Sequence, residues 1–185
     1  KILGGYRENL TDEEICDLLR IAVFEANGNI YSASLKDFEL VGMGTTAVVA
    51  IITGGTLYTA NVGDSRLYHF SKGELKQITT DHSYVESLVS KGIISKDEAR
   101  NHPKKNVITR AVGSESMVDI DIFRTDVSKG DKILLCSDGL YGFVSDEQIS
   151  ALLTKELDGA VHALVALANE NGGRDNITVA AAEIN

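Results

Sequence analysis

The sequence contains no tryptophan, one proline and only two cysteines in its 185 residues. No apolar run approaches the roughly 18 residues that suggest a membrane span, and no basic-then-apolar leader opens the sequence. The cysteines, Cys16 and Cys136, lie inside apolar patterns and form neither a CxxC pair nor a pair with a closely spaced histidine. This usage is typical of a reduced compartment, so we expect a cytoplasmic protein.

Positive charge is also scarce. The chain has 18 lysine and arginine residues against 27 aspartate and glutamate residues, which gives a formal net charge of −9. Nucleic acids and anionic membranes are bound through basic surfaces, so we expect neither of them as the main partner. The length, with 43% hydrophobic and 24% charged residues, fits one soluble globular domain with a sizeable core.

The spacing of apolar residues predicts an α+β protein. A helical period starts at Thr11, where Thr11 and Glu14 form the pattern of a capping box, and Gly28 with Asn29 is expected to end this helix. Four short strands between 45 and 79, joined by tight turns, predict an antiparallel meander. Two helical stretches then interrupt the strands in the polar segment 83–106. Further strands are predicted at 107–111, 118–125, 132–137 and 177–184, and further helices at 145–154 and 159–170.

Three aspartates stand at positions where a carboxylate could coordinate a cation. Asp138 follows a buried apolar strand and precedes Gly139, Asp175 comes just before the last apolar strand, and Asp64 lies in a turn between two apolar strands. Mg²⁺ and Mn²⁺ prefer oxygen ligands, typically one or two carboxylates with several retained waters. Each aspartate also fits an ordinary turn position, and the local pattern alone favours that interpretation.

No side chain is identified as a nucleophile. The Cys-x5-Arg loop of cysteine phosphatases is absent, because the sixth residue after Cys136 is Gly142 and the sixth after Cys16 is Ala22. Ser137 has no GxSxG frame, and the sequence contains neither a P-loop nor a GxGxxG fingerprint.

Other acidic and histidine residues are expected to have no catalytic role. Asp119 and Asp121 mimic the DxD pattern of aspartyl phosphatases, but the alternation around them predicts that both face solvent. His162 lies in an apolar helical pattern and is expected to pack. The remaining histidines are expected to be exposed: His69, His82 and His102.

Six short stretches extend from Gly42 to the end of the sequence, and each is weak alone. The stretches are Gly42-Met43-Gly44-Thr45-Thr46, Ala60-Asn61-Val62-Gly63-Asp64-Ser65-Arg66, Thr80-Asp81-His82-Ser83, Ile108-Thr109-Arg110-Ala111-Val112-Gly113, Leu135-Cys136-Ser137-Asp138-Gly139-Leu140 and Gly173-Arg174-Asp175-Asn176-Ile177-Thr178-Val179. Taken together and in this order, they resemble the metal-dependent protein serine/threonine phosphatases of the type 2C family in its compact bacterial form.

The resemblance implies an α-β-β-α sandwich, with two antiparallel sheets packed face to face and helices outside. It implies that residues 1–185 form a single, partial type 2C domain and that segment 83–106 is a flap insertion. It also implies a site for two Mg²⁺ or Mn²⁺ ions, with Asp138 and Asp175 as metal ligands. Asp64 matches a ligand of an additional, third metal seen in bacterial members.

The activity implied by the resemblance is hydrolysis of phosphoserine and phosphothreonine esters on proteins. The nucleophile would be a metal-bound water, so no protein side chain would act as one. The implied partners are phosphorylated protein substrates, including a bacterial Ser/Thr kinase and its targets, and we expect a monomer. A related bacterial phosphatase that acts on an anti-sigma-factor antagonist would share this chemistry and differ in its partner.

The sequence departs from the family pattern in one respect. The family's first segment carries a phosphate-contacting arginine, a Glu-Asp pair and an Asp-Gly-Met-Gly-Gly-His stretch, none of which is found here. In Gly42-Met43-Gly44, Val41 stands in place of the aspartate and Thr45 in place of the next glycine. We therefore expect residues upstream of Lys1, and little or no activity from these 185 residues alone. The alternative function is a catalytically silent relative that binds phosphoproteins or regulates another protein.

Overall fold

The β-strands form two sheets in the computed structural model of the chain, which describes residues 1–7 and 9–185. The three-stranded sheet has the order β1-β2-β5, and the four-stranded sheet has the order β4-β3-β6-β7. The strands are β1 Ala47–Thr53, β2 Thr56–Val62, β3 Arg66–Ser71, β4 Glu74–Gln77, β5 Asp121–Asp126, β6 Lys132–Cys136 and β7 Val179–Glu183.

Helices precede β1 and separate several of the later strands. Within the described residues none of them is both long enough and apolar enough to cross a membrane. A 3-10 turn, Phe38–Leu40, follows the longest helix. The helices are α1 Ile2–Gly5, α2 Asp12–Lys36, α3 Tyr84–Ser90, α4 Lys96–Arg100, α5 Asp138–Tyr141, α6 Asp146–Leu153 and α7 Leu157–Glu170.

The chain forms two compact units. The first unit comprises Lys1–Asp64 and Asp81–Arg124, and the second comprises Ser65–Thr80 and Thr125–Asn185. Each unit has a hydrophobic core of its own. The prediction of one domain over 1–185 stays a prediction.

The core of the first unit forms where α2 packs on the β1–β2 hairpin. Thr11 begins α2 with the predicted capping box, because its side chain accepts the Glu14 N–H while the Glu14 carboxylate accepts the Thr11 N–H. Gly54 and Gly55 form the hairpin turn with φ of +57° and +78°, a conformation that suits glycine. The buried residues of this core are Ile15, Cys16, Leu19, Val23, Tyr58, Ala60, Val62 and Val112.

The prediction that α2 ends near Gly28 is wrong, because the helix continues to Lys36. Tertiary contacts stabilise the helix beyond Gly28. The buried Asn27 side chain accepts the Gly113 N–H at 2.6 Å and donates to the Glu115 carbonyl at 3.0 Å. Ile30 packs against the backbone at Gly113, where an added Cβ would lie 2.1 Å from the isoleucine Cγ2.

The four consecutive strands do not form a single meander. The predicted hairpins β1–β2 and β3–β4 are both present, but they belong to different sheets, and β3 pairs antiparallel with β6. The short turn at 63–65 therefore links two sheets and does not close a third hairpin. The predicted strand 107–111 is also wrong. Val107 and Ile108 are exposed, and the region makes only isolated bridges, at Ile108 and Val112.

The four-stranded sheet forms the core of the second unit with α5, α6 and α7. Tyr68 of β3 faces Leu134 of β6, and both are almost fully buried. Ser145 and Gln148 form the predicted capping box at the start of α6. The α+β class, with two antiparallel sheets and helices packed on them, is confirmed, as are the two short helices in the segment 83–106.

Candidate metal centre

Asp138 stands at the end of the buried strand β6, as predicted. The strand ends at Cys136, and Asp138 is the first residue of the short helix α5. Its side chain is half-buried in the structure. A carboxylate attached to the end of a rigid central strand is held in place better than one in a free loop.

The segment before β7 is clamped against this strand end through Ser137. The Ser137 hydroxyl donates to the Asn176 carbonyl and accepts the Thr178 N–H, each at 3.0 Å. The Ser137 N–H donates to the Thr178 carbonyl at 3.1 Å. Gly139 permits the close approach, because a Cβ there would lie 2.3 Å from the Asn176 carbonyl oxygen.

This clamp brings Asp175 into the electrostatic range of Asp138. Burial, and then the negative charge of Asp175, raise the pKa of the Asp138 carboxyl above its ordinary value. The backbone N–H groups of Asp138 and Gly139 act in the opposite direction and lower that pKa. Asp175 is exposed and accepts the Asn176 N–H at 2.7 Å. A divalent cation would relieve the repulsion between these two carboxylates at the end of β6.

The donor chemistry of this pair fits Mg²⁺ or Mn²⁺, which bind carboxylates and complete their coordination with water. Two carboxylates are nevertheless few for two cations. Among residues 1–7 and 9–185, no group of three or more His, Cys, Asp or Glu side chains is placed to hold a metal ion. The described residues therefore offer a partial donor set, centred on Asp138 and Asp175.

Asp64 belongs to the first unit, whereas Asp138 and Asp175 belong to the second. It follows β2 in the turn that begins at Gly63, and its residue surface is only 8% exposed. Burying a carboxylate is costly unless it is paired, hydrogen-bonded or bound to a cation, so the position of Asp64 is unlike that of an ordinary surface turn residue.

Two side chains that the sequence predicts to face solvent, His82 and Asp121, are buried or paired. His82 is only 7% exposed, and its Nε2 lies 3.2 Å from Oδ2 of Asp121. Arg110 donates to the other oxygen of Asp121 at 2.7 Å. The prediction that His82 is exposed is therefore wrong, and so is the prediction that Asp121 simply faces solvent. The pairing partners lie far apart in sequence, so no local pattern signals them.

The environment of Asp121 explains its charge state. Partial burial would raise the pKa of its carboxyl, but hydrogen bonds and charges from Arg110 and His82 outweigh that effect, and the pKa lies below the usual value.

For His162 the prediction of burial is wrong. It was expected to pack, but its side chain is 82% exposed on α7.

The chain is similar in sequence to bacterial serine/threonine phosphatases. A family model described as Protein phosphatase 2C matches residues 6–88. The serine/threonine phosphatase stp of Listeria welshimeri is 42% identical over 178 residues, which cover 95% of this chain and 71% of that protein. The serine/threonine protein phosphatase PstP of Mycobacterium tuberculosis is 40% identical over 177 residues, which cover 94% of this chain and 34% of the longer relative.

Solved structures show the same fold. The serine/threonine phosphatase Stp1 from Staphylococcus aureus superposes with a TM-score of 0.91 at 36% identity, over 97% of this chain and 71% of that chain. The catalytic domain of PstP in complex with two manganese ions superposes with a TM-score of 0.87 at 34% identity, over 100% of this chain and 78% of that chain. The chain belongs to the protein phosphatase 2C family of protein serine/threonine phosphatases.

Proposed function

We propose that this phosphatase hydrolyses phosphoserine and phosphothreonine esters of proteins at a centre that holds two Mg²⁺ or Mn²⁺ ions. Asp138 and Asp175 are the ligands in this proposal, and Asp64 is a ligand of an additional ion. The observation that carries it is the Ser137 clamp, which holds the segment after Asp175 against the strand end that precedes Asp138. The charge of Asp175 also raises the pKa of the Asp138 carboxyl. A solved relative, the PstP catalytic domain, is described as a complex with two manganese ions.

The protein's own part in this chemistry is to hold and orient oxygen ligands. Bound divalent cations supply an activated water and neutralise the charge that develops on the phosphoryl group. Asp138 is fixed by the end of β6 and by the first turn of α5. The Asn176 N–H orients Asp175. This division of labour is consistent with a sequence in which no nucleophilic cysteine or serine motif is found.

The substrates in this proposal are phosphorylated proteins, and the reaction opposes a bacterial Ser/Thr kinase in the cytoplasm. The relatives carry the names of serine/threonine phosphatases, which supports protein phosphoesters as the substrate class. The net charge of −9 does not prevent phosphate binding, because bound cations reverse the local field. We propose that the protein acts as a monomer.

A second candidate function is a silent relative that binds phosphoproteins without hydrolysing them. The observation that favours it is the partial donor set, because no cluster of three metal-binding side chains occurs in the described part of the chain. Cation binding separates the two candidates. A binding module does not need Asp138 and Asp175 to hold a metal ion, whereas the phosphatase does.

The test is Mn²⁺ binding to the metal-free 185-residue chain, followed by the electron paramagnetic resonance signal of free Mn²⁺. We expect Asp138→Asn and Asp175→Asn each to weaken Mn²⁺ binding about tenfold or more, because each removes one charged ligand from a two-carboxylate site. The matched control is Asp158→Asn on α7, whose carboxylate has a side chain that is 87% exposed. We expect this variant to bind Mn²⁺ like the wild type.

Full Mn²⁺ affinity in Asp138→Asn would contradict the ligand assignment. Equal weakening in Asp158→Asn would show that the measured binding reflects net charge and not a site. Mn²⁺ binding at Asp138 and Asp175 without hydrolysis of a phosphothreonine peptide by the full-length protein would favour the silent relative.

A further inference from the structure

His82 makes two hydrogen bonds to the same residue, Gly63, which directly precedes Asp64. The His82 backbone N–H donates to the Gly63 carbonyl at 2.9 Å, and the Gly63 N–H donates to Nδ1 of His82 at 2.9 Å. Through its backbone and its side chain together, His82 therefore binds both the carbonyl and the N–H of Gly63. His82 itself is held by the Thr109 N–H, which donates to its carbonyl at 2.8 Å.

The Gly63 backbone is confined on its other sides as well. Its φ is +102°, in the region that favours glycine, and an added Cβ would lie 2.4 Å from Cγ2 of Thr46. Nδ2 of Asn61 donates to the Gly63 carbonyl at 3.3 Å. With Thr46 on one side and His82 on the other, the direction in which the chain enters Asp64 is fixed.

The Gly63 N–H and the Asp121 carboxylate favour the same tautomer of His82. Nδ1 must be the acceptor, because the Gly63 N–H points at it. A neutral imidazole then carries its hydrogen on Nε2, which lies 3.2 Å from Oδ2 of Asp121 and donates to it. Arg110 donates to Oδ1 of Asp121 and to the Asp119 carbonyl, and its Nη1 also lies 3.0 Å from Nε2 of His82. Arg110 therefore anchors the carboxylate that accepts a hydrogen bond from this tautomer.

We propose that His82 is a positioning residue that sets the Gly63–Asp64 turn so that the Asp64 carboxylate holds a divalent cation. The inference rests on the proposed function, in which Asp64 is a ligand of an additional ion. His82 acts through the backbone of Gly63, and Asp121 acts through His82. The arrangement resembles the outer-shell hydrogen bonds that orient metal ligands, whose loss typically weakens metal affinity about 10–100-fold.

Two substitutions of His82 separate its two hydrogen bonds. In His82→Asn, the amide oxygen can occupy the place of Nδ1 and accept the Gly63 N–H, although the bond to Asp121 is lost. In His82→Gln, the amide group reaches the place of Nε2 and can keep the bond to Asp121, but the Gly63 N–H loses its acceptor. The two variants are similar in polarity, so a difference between them reports on the Gly63 contact.

The experiment measures Mn²⁺ binding to metal-free protein by electron paramagnetic resonance, together with thermal unfolding without metal. We expect Asp64→Asn to weaken or remove one class of Mn²⁺ site. His82→Gln should weaken the same class about tenfold or more, whereas His82→Asn should stay within about threefold of the wild type. In the Asp64→Asn background, His82→Gln should have no further effect on Mn²⁺ binding.

The matched control is His69→Gln in the second unit. His69 also pairs through Nε2 with a buried aspartate, Asp131, at 2.9 Å. We expect this control to lower the unfolding temperature but to leave Mn²⁺ affinity unchanged. A His82→Gln variant that behaves in the same way would overturn the proposal and leave His82 with a structural role.

Two other results would also overturn it. Equal loss of Mn²⁺ affinity in His82→Asn and His82→Gln would show that the Gly63 contact is not the relevant one. An unchanged Mn²⁺ isotherm in Asp64→Asn would show that Asp64 holds no cation. The second result would leave the proposal for Asp138 and Asp175 intact, because their own variants test it separately.

Discussion

His69 of β3, which the sequence predicts to be exposed, is largely buried and pairs with the buried Asp131 next to β6. Nε2 of His69 and Oδ2 of Asp131 are 2.9 Å apart, and their side chains are 12% and 9% exposed. Burial would raise the pKa of the Asp131 carboxyl. Hydrogen bonds from Ser71, the Ser128 N–H and His69 outweigh this effect and hold the pKa below its usual value. The fold therefore stabilises the charged form of Asp131.

This pKa shift predicts how stability depends on pH. We expect Asp131→Asn to lower the free energy of unfolding by about 1–3 kcal/mol at pH 7, because it leaves buried donors poorly satisfied. A carboxylate with a lowered folded-state pKa contributes stability above its unfolded value of about 3.9. That contribution is lost as the pH falls through the folded-state pKa. The difference between wild type and variant should therefore stay constant from pH 7 down to about pH 5 and shrink only at lower pH in urea titrations.

Asp158→Asn serves again as the exposed control, with an expected change below about 0.5 kcal/mol at every pH. A difference between Asp131→Asn and the wild type that stayed constant over the whole pH range would contradict the assigned role of the Asp131 charge.

The sequence could predict residues whose role depends on near neighbours. Asp138 follows an apolar strand, and its place at the end of β6 was visible in the pattern. The exposure of His162 was also within reach. It stands two positions, about 200°, from the buried Ala160 on the helix, and so lies on the opposite face. The burial of His82 could not be predicted from its neighbours, because its contacts at Gly63 and Asp121 come from distant segments.

Helix α2 shows how tertiary contacts override a local stop signal. Gly28 has no heavy atom within 4 Å of an added Cβ, so its outward face is open. The neighbouring Asn27 is fully buried and bonded to the segment at 113–116. The helix is held by these contacts at one face and needs no favourable residue at position 28.

A continuous helix at this point predicts that Gly28→Ala is stabilising. Alanine costs less backbone entropy than glycine in a helix interior, so we expect the free energy of unfolding to rise by about 0.5–1 kcal/mol. Urea unfolding monitored by circular dichroism measures it. The contrasting variant is Gly113→Ala, which should destabilise strongly because φ is +90° and the Cβ would meet Ile30. A destabilised Gly28→Ala would contradict the continuous helix.

Elements defined by local signals were predictable, and their arrangement was not. The capping boxes at Thr11 and Ser145 and the turn at Gly54 depend on residues within a few positions of each other. The sheet order depends on pairings such as β3 with β6, for which turn residues give no information. A short turn between strands favours a hairpin, but the turn around Gly63 joins strands of two different sheets.

On the scale of the whole molecule, the partial donor set governs the expected activity. Asp138 and Asp175 supply two carboxylates, and the described residues contain no cluster of three metal-binding side chains. Two-metal hydrolysis needs enough ligands for two cations about 3.5–4 Å apart. The family resemblance identified the chemistry from short motifs, but the number of ligands that gather in one place depends on the three-dimensional fold.

We therefore expect the 185-residue chain, with a small aryl phosphate and excess Mn²⁺, to hydrolyse the ester little faster than buffer alone. Release of the aryl alcohol, followed by absorbance, measures the rate. Robust turnover that Asp138→Asn abolishes would contradict this expectation and would show that these residues suffice for catalysis. Turnover that persists in Asp138→Asn would instead indicate a contaminating phosphatase.

The pairing of β3 with β6 has a consequence for synthesis on the ribosome. Tyr68 lies opposite Leu134 in the completed sheet, so one partner is made long before the other. At about 5–20 residues translated per second, β3 and β4 are synthesised several seconds before β6 is available to pair with β3. During that interval, a nascent hairpin with apolar side chains and an unpaired edge is a natural client for a chaperone.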